Sequence, residues 1–166
     1  MRARALGLPV WHPAVLVATS FGAGFLPLAP GSWASLAALP VAWAIVCLSG
    51  VLGLAGAAGF AFALGWWAAT TVAKASGIED PRAIVIDEIA GQWLVLVPAP
   101  LDPLAYTLAF LLFRFFDIWK PWPVRWADRR VKGGLGIMLD DLLAAVYAAA
   151  LLSGLLAIGG VSGVRN

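Results

Sequence analysis

Five carboxylates have the types and spacing to bind a cation together: the adjacent pair Asp87 and Glu88, the single Asp117, and the adjacent pair Asp140 and Asp141. Among and after them stand Arg114, Lys120, Arg125, Arg129, Arg130 and Lys132. Hard oxygen ligands suit magnesium, which takes one or two carboxylates and keeps water and phosphate oxygens as its other ligands. Arginine and lysine beside such an ion neutralise the equatorial oxygens of a transferring phosphoryl group. These residues point to metal-assisted chemistry on a phosphate. Other phosphatase chemistries lack their parts: Cys47 is the only cysteine and lies in an apolar run, and His12 is the only histidine, far along the chain from the acids. The lone cysteine also excludes an internal disulfide and a thiolate metal site.

The elements that must carry these residues read as helices. No charge occurs from Gly31 to Ala73, a stretch long enough for two spans of roughly 20 residues each. Ser49 and Gly50 form the natural turn, which predicts helices over 32–48, with Pro40 as a kink, and 51–73. Gly53, Gly56, Gly59 and Gly65 suit close helix approach. A polar loop follows over 74–82, then a helix from about Ala83 to Val97 carrying Asp87 and Glu88 near its start. Pro98, Pro100, Asp102 and Pro103 force a turn. A helix over 104–119 ends with Arg114 and Asp117, a loop covers 120–136, and the last helix covers 137–158 with Asp140 and Asp141 in its first turn. The Gly133-Gly134-Leu135-Gly136 stretch could offer backbone N–H groups to an anion, and Gly22, Gly24 and Gly31 could do likewise. Segment 14–29, with Gly22, Gly24 and Pro27 and followed by Pro30, reads as amphipathic or re-entrant.

The expected fold is all-α: an integral membrane helical bundle of about four transmembrane helices plus that N-terminal segment, in one domain over 1–166. The chain is 62% hydrophobic and 12% charged, with a mean hydropathy of +0.91, values foreign to soluble domains. A net charge of +2, scattered between apolar segments, excludes a nucleic-acid footprint. Met1 to Val10 contains Arg2 and Arg4 but no signal-peptide core, so the start is expected to be retained. Alternating crossings from a cytoplasmic Gly31 place ten of the eleven Lys and Arg residues on the cytoplasmic side, leaving only Arg165. The same count brings the five acids to one face.

Simpler explanations exist for each part. Asp87 with Glu88, or Asp140 with Asp141, could complement a helix dipole; Arg114 and Asp117 could be an ordinary i,i+3 pair; Arg125 to Lys132 could be a positive-inside anchor. His12 reads as an interfacial residue, and tryptophans such as Trp119, Trp122 and Trp126 as an interfacial belt, with room to border a lipid headgroup. A transporter would use the charges as an ion path, but the outer turns hold only Asp102. A non-catalytic scaffold binding anionic lipid would explain the basic loop but not five converging acids.

Four blocks carry a resemblance: Gly24-Phe-Leu-Pro-Leu-Ala-Pro-Gly-Ser-Trp33, Asp87-Glu-Ile-Ala-Gly-Gln-Trp93, Phe113-Arg-Phe-Phe-Asp-Ile-Trp-Lys-Pro-Trp-Pro123 and Gly133-Gly-Leu-Gly-Ile-Met-Leu-Asp-Asp141. In content and order they resemble the phosphatidylglycerophosphatase A family over most of the chain from Gly22 to Tyr147. Ala34 and Ala90 are small departures at uncharged positions. The resemblance implies a magnesium-dependent enzyme of the bacterial inner membrane that removes the terminal phosphate of phosphatidylglycerophosphate to give phosphatidylglycerol. It also implies Asp87, Glu88, Asp117, Asp140, Asp141 and Lys120 as the functional set. Within it, Asp87, Glu88, Asp140 and Asp141 are expected as magnesium ligands, with Asp117, Asp141 and Glu88 acting in catalysis. Lys120, Arg114 and Arg129 or Arg130 are expected to hold phosphate, with Ser32 and Gly31 lining the site. Asp117 could be the general base for water, an aspartyl nucleophile or a buried partner of Arg114.

Overall fold

The computed structural model describes residues 6–158. Arg2, Arg4 and Arg165, and the expectation that the N-terminus is retained, lie outside the described residues. Among those described, every regular element is helical: α1 (Pro13–Ala18), a 3-10 turn (Ala23–Phe25), α2 (Pro30–Ser76), α3 (Ile86–Leu96), α4 (Pro103–Trp119), α5 (Val124–Arg130) and α6 (Gly133–Ile158).

The long α2 is broken at Gly50, whose φ of 69° and ψ of −174° are not helical. A Cβ on Gly31 would land on the Glu88 carboxylate, and one on Gly65 would press on Ile86. Residues 31 and 65 would be about 50 Å apart on a straight helix, yet both touch the first turn of α3. The chain therefore doubles back at Gly50, where the sequence places a turn. Trp93 Nε1 donates to the Ala38 carbonyl at 3.1 Å, so α3 runs along the first limb and against the second.

Local chemistry sets the ends. Pro30 starts α2 and Pro103 starts α4, positions where a missing N–H costs nothing. Asp102 accepts from the Ala105 N–H at 2.8 Å, so the one charge in the outer turns is a helix cap. Gly77 closes α2 with a φ of 68°. His12 caps α1, its Nδ1 accepting from the Ala14 N–H at 3.2 Å.

Packing splits into two levels. At one end Leu54, Leu96, Phe113, Tyr106 and Leu152 pack with Ala42, Ala144, Ala145 and Ala148. At the other, Ala14, Val15 and Ala18 of α1 pack on Ala68, Ala69, Val72, Ile84 and Ile137. Alanine and glycine at these contacts let helix axes approach closely. Large apolar side chains such as Leu48, Leu52, Phe60, Trp66, Leu111 and Ile158 are exposed, as on a surface solvated by lipid. Two helices, Pro30–Ser76 and Gly133–Ile158, are long and apolar enough to cross a membrane.

Besides α2, which starts at Pro30 and runs on to Ser76 where helices over 32–48 and 51–73 were expected, three differences from the sequence reading bear on the site. The helix expected from Ala83 begins at Ile86 and has 11 residues, roughly 16 Å, well short of a bilayer's hydrocarbon core. Segment 120–136 is not all loop, since α5 lies within it. The last helix begins at Gly133, so Asp140 and Asp141 lie two turns inside it rather than in its first turn. Glycine usually argues against a helix start of this kind. Here a Cβ on Gly134 would strike Thr70 and the Trp66 carbonyl, so glycine permits α6 to seat on α2, and one on Gly136 would strike the Val131 carbonyl at the end of α5.

Candidate active site

The level where both limbs of α2 meet the start of α3 collects the acids. Asp87 and Glu88 stand in the first turn of α3 and Asp141 on α6, and one carboxylate oxygen from each lies within 4.8 Å of those of the other two. Gly91 makes this possible, because a Cβ there would overlap Phe113 of α4 and approach the Asp141 backbone. Gly31 seats directly on Glu88.

Neighbouring residues on a helix point about 100° apart, and α6 uses that angle to separate its two acids. Asp141 joins Asp87 and Glu88. Asp140 turns to Lys120, whose Nζ donates to Asp140 Oδ2 at 2.6 Å and to Asp128 Oδ1 at 2.6 Å. Lys120 ends α4 with a φ of 48°, a left-handed turn that is uncommon without glycine and aims the ammonium back at α6. Burial disfavours its charge, but the hydrogen bonds to Asp128 and Asp140 outweigh that and hold Lys120 well above the usual lysine range.

Arg114 Nη1 stands 2.8 Å from Asp117 Oδ2, with both side chains mostly buried. The contact is an ion pair without hydrogen-bond alignment, since Arg114 Nε and Nη1 lack hydrogen-bond partners. Asp117 is within electrostatic reach of Glu88, Asp140 and Asp141.

Charge is therefore settled unevenly. Among the described residues, ion pairs reach Asp117, Asp128 and Asp140 but not Asp87, Glu88 or Asp141. Asp87 Oδ1, Glu88 Oε2 and Asp141 Oδ2 are buried with no hydrogen-bond partner. Clustered carboxylates without a cation are expensive in an apolar setting, and this donor set is all hard oxygen. The three residues fit a divalent cation such as magnesium.

A cavity of about 70 Å³ opens beside this group, lined by Asp80, Asp87, Asp128, Asp140, Gly133 and Gly136 among others. At its rim Lys132 pairs with Glu79 at 2.9 Å. Asp80 keeps an open surface, yet crowding by the surrounding protein raises its carboxyl above the usual range; Lys120 opposes this and Asp128 adds to it. A second, wider cavity of about 570 Å³ lies across Lys120, lined by Trp119, Trp122, Arg125, Trp126, Arg129 and Arg130.

Of the expected site residues, Asp87, Glu88, Asp141 and Gly31 come together, with Arg114, Asp117, Asp140 and Lys120 next to them. Ser32 follows Gly31 in the first turn of α2. Arg129 and Arg130 face the wider cavity instead. Gly133 and Gly136 border the smaller one, whereas Gly24 is used for packing against the Ala83 carbonyl. Sequence reasoning missed Asp80 and Asp128, and also Gln92, which is fully buried one turn beyond Glu88 with both amide atoms unpartnered. An amide in an apolar helix four residues after an acid was the available signal for Gln92.

The family model of phosphatidylglycerophosphatase A matches residues 16–156. The chain belongs to the phosphatidylglycerophosphatase A family. A phosphatidylglycerophosphatase A from Escherichia coli K12 is 39% identical over 150 residues, covering 86% of this chain and 81% of the relative. Another from Haemophilus influenzae is 40% identical, covering 82% and 85%. A Bacteroides thetaiotaomicron protein with the provisional name phosphatidylinositol-3-phosphatase is 40% identical, covering 84% and 91%. No solved structure matches. The matched family span contains every charged residue of the two cavities.

Proposed function

We propose that this phosphatidylglycerophosphatase A family enzyme hydrolyses the terminal phosphomonoester of phosphatidylglycerophosphate to phosphatidylglycerol and inorganic phosphate, using magnesium held by Asp87, Glu88 and Asp141. The observation that carries the metal is the convergence of three carboxylates, each with one buried oxygen that has no hydrogen-bond partner. The family carries the substrate. The relative named for a phosphoinositide shares with the others a phosphomonoester on an anionic lipid.

Held by Asp87, Glu88 and Asp141, magnesium would supply electrostatic stabilisation of the phosphoryl oxygens. The protein's own part is to bring charge to fixed places. Lys120 has a third N–H left for a phosphate oxygen after serving Asp128 and Asp140. Arg114 presents two buried nitrogens without hydrogen bonds toward the same level, and Asp117 keeps it oriented. That pairing supports the third reading of Asp117, as the partner of Arg114. In the overall reaction water oxygen bonds to phosphorus, the bond to the glycerol oxygen breaks, and the alcohol leaves with a proton. Solvent oxygen entering inorganic phosphate directly in a single turnover would accord with Asp117 as partner or base, and a trapped acyl phosphate with Asp117 as nucleophile.

The membrane arrangement follows the same argument. Four longer stretches cross, residues 30–49 and 51–76 of α2, then α4 and α6, and between them the shorter α3 with the 97–102 turn carries the chain inside the bundle from the acid end to the Asp102 end. Lys74, Arg82, Arg114, Lys120, Arg125, Arg129, Arg130 and Lys132 all belong to the acid end, while Asp102 alone marks the other among the described residues. The positive-inside rule makes the acid end cytoplasmic, in a bacterial inner membrane.

The test is phosphate release from phosphatidylglycerophosphate by purified protein, with and without magnesium, beside Asp87→Asn and Asp141→Asn. Magnesium-dependent release that both substitutions abolish in folded protein is the expected result. No release by folded wild type with magnesium would overturn the proposal.

A further inference from the structure

The wider cavity has a composition opposite to that of the acid site. Arg125 and Arg129 are four residues apart on α5, as are Trp126 and Arg130, so guanidinium and indole groups share its wall. Trp119, Trp122 and Trp126 are 55%, 79% and 52% exposed, and Tyr147 of α6 fixes the loop by donating to the Trp122 carbonyl at 2.8 Å. Among the described residues, no ion pair involves Arg129 or Arg130. Its volume of about 570 Å³ exceeds what one phosphate needs and falls in the range of sites for small organic groups. Lys120 lines this cavity and also bonds Asp140, which lines the smaller one.

We propose that the wider cavity binds the phosphodiester of the substrate's headgroup while the terminal phosphomonoester enters the carboxylate site. The inference rests on the phosphatase reading and adds how the lipid is chosen. The two phosphates of phosphatidylglycerophosphate are joined by one glycerol, and two cavities separated by one lysine side chain match that arrangement. Charge sorts them. The acid site repels an anion that brings no metal, whereas Arg129 and Arg130 form bidentate contacts with a diester. Indoles at the rim suit the glycerol and the start of the acyl chains at the membrane interface. Phosphatidic acid carries a monoester directly on its diacylglycerol, has no diester, and fills only one of the two cavities.

The experiment compares wild type with the Arg129→Gln/Arg130→Gln double variant in zwitterionic detergent micelles with magnesium, on phosphatidylglycerophosphate and on phosphatidic acid. The expected result is a rise of about tenfold in KM for phosphatidylglycerophosphate with kcat little changed, and a similar fall in its preference over phosphatidic acid. Arg129→Lys/Arg130→Lys, which keeps charge without the planar fork, should fall between the two. Equal losses on both lipids would overturn the proposal, as would an effect that appears only after anionic phosphatidylglycerol is mixed into the micelles. Either would mean that the arginines gather anionic lipid generally. An unchanged KM for phosphatidylglycerophosphate would overturn it too, even if phosphatidic acid is not hydrolysed. Should the glutamine variant not fold, Trp126→Ser at its exposed position takes its place, with the same expected rise in KM. Wild type that hydrolyses neither lipid would mark failure of the phosphatase reading itself, and the inference would fall with it.

Discussion

The carboxylate floor and the basic rim above it are built from opposite materials. The floor is set by helices: Asp87, Glu88 and Asp141 are held by α3 and α6 and pressed together by Gly31 and Gly91, whose missing side chains bring in backbone and carboxylate alike. The rim is set by the short α5 and its flanking loop, with exposed arginines and tryptophans. A site for charge development needs fixed geometry in a dry place, where a small displacement is costly. A site that takes up a lipid from a membrane needs reach and solvent access. The contrast teaches that the same few helix ends can supply chemistry at depth and selection at the surface, with Lys120 connecting them.

The largest effect should come from the floor. Asp141→Asn or Asp87→Asn removes a carboxylate charge from the proposed cation site, and phosphate release should drop on the order of 10³-fold, several kcal/mol of lost transition-state stabilisation. A drop under tenfold in folded protein would break the distinction between floor and rim. Next is Gly31→Ala, which adds a methyl where the Glu88 carboxylate now sits. A displacement near 1 Å costs roughly 10²-fold, and kcat should fall while the protein's melting temperature stays close to wild type. Lys120→Met, which releases Asp128 and Asp140 together, should cost about 10- to 100-fold, the range for a partner that orients ligands. Because Lys120 is held above its ordinary range, wild-type activity should show no loss from this group as pH rises to about 10.

The smallest effect concerns Asp80. Its carboxyl is raised on folding, so the folded protein holds that proton more tightly than the unfolded chain. Stability from this group is then highest below the unfolded value of about 3.9 and declines as pH rises through the folded value. Asp80→Asn should raise thermal stability at neutral pH by no more than about 0.5 kcal/mol, since solvent screens the site. Melting curves at acidic and neutral pH check this, and the gain should vanish at the acidic end.

Much of the floor was legible because charge inside apolar sequence is costly and stands out. Asp87, Glu88, Asp117, Asp140 and Asp141 are conspicuous for that reason, and alternating helices bring them to one end. The turn at Gly50 was legible from Ser49 and Gly50 within an uncharged run. What the sequence concealed follows from tertiary contact. Asp80 and Asp128 sit in polar segments where one more acid attracts no notice, and only the fold brings them to Lys120. Asp140 and Asp141 were grouped as ligands, although successive helical residues diverge in direction and α6 sends them to different partners. The early start of α6 was hidden because Gly133 and Gly134 look like a loop until Thr70 is found in the space that a side chain on Gly134 would need.

The central claim is that Asp87, Glu88 and Asp141 form one divalent-cation site. Titrating the purified protein with manganese as a paramagnetic substitute for magnesium, and following bound ion by electron paramagnetic resonance, tests it directly. The account predicts saturable binding that magnesium displaces and that Asp141→Asn abolishes while Arg129→Gln/Arg130→Gln retains it. Undiminished manganese binding by folded Asp141→Asn protein would contradict it.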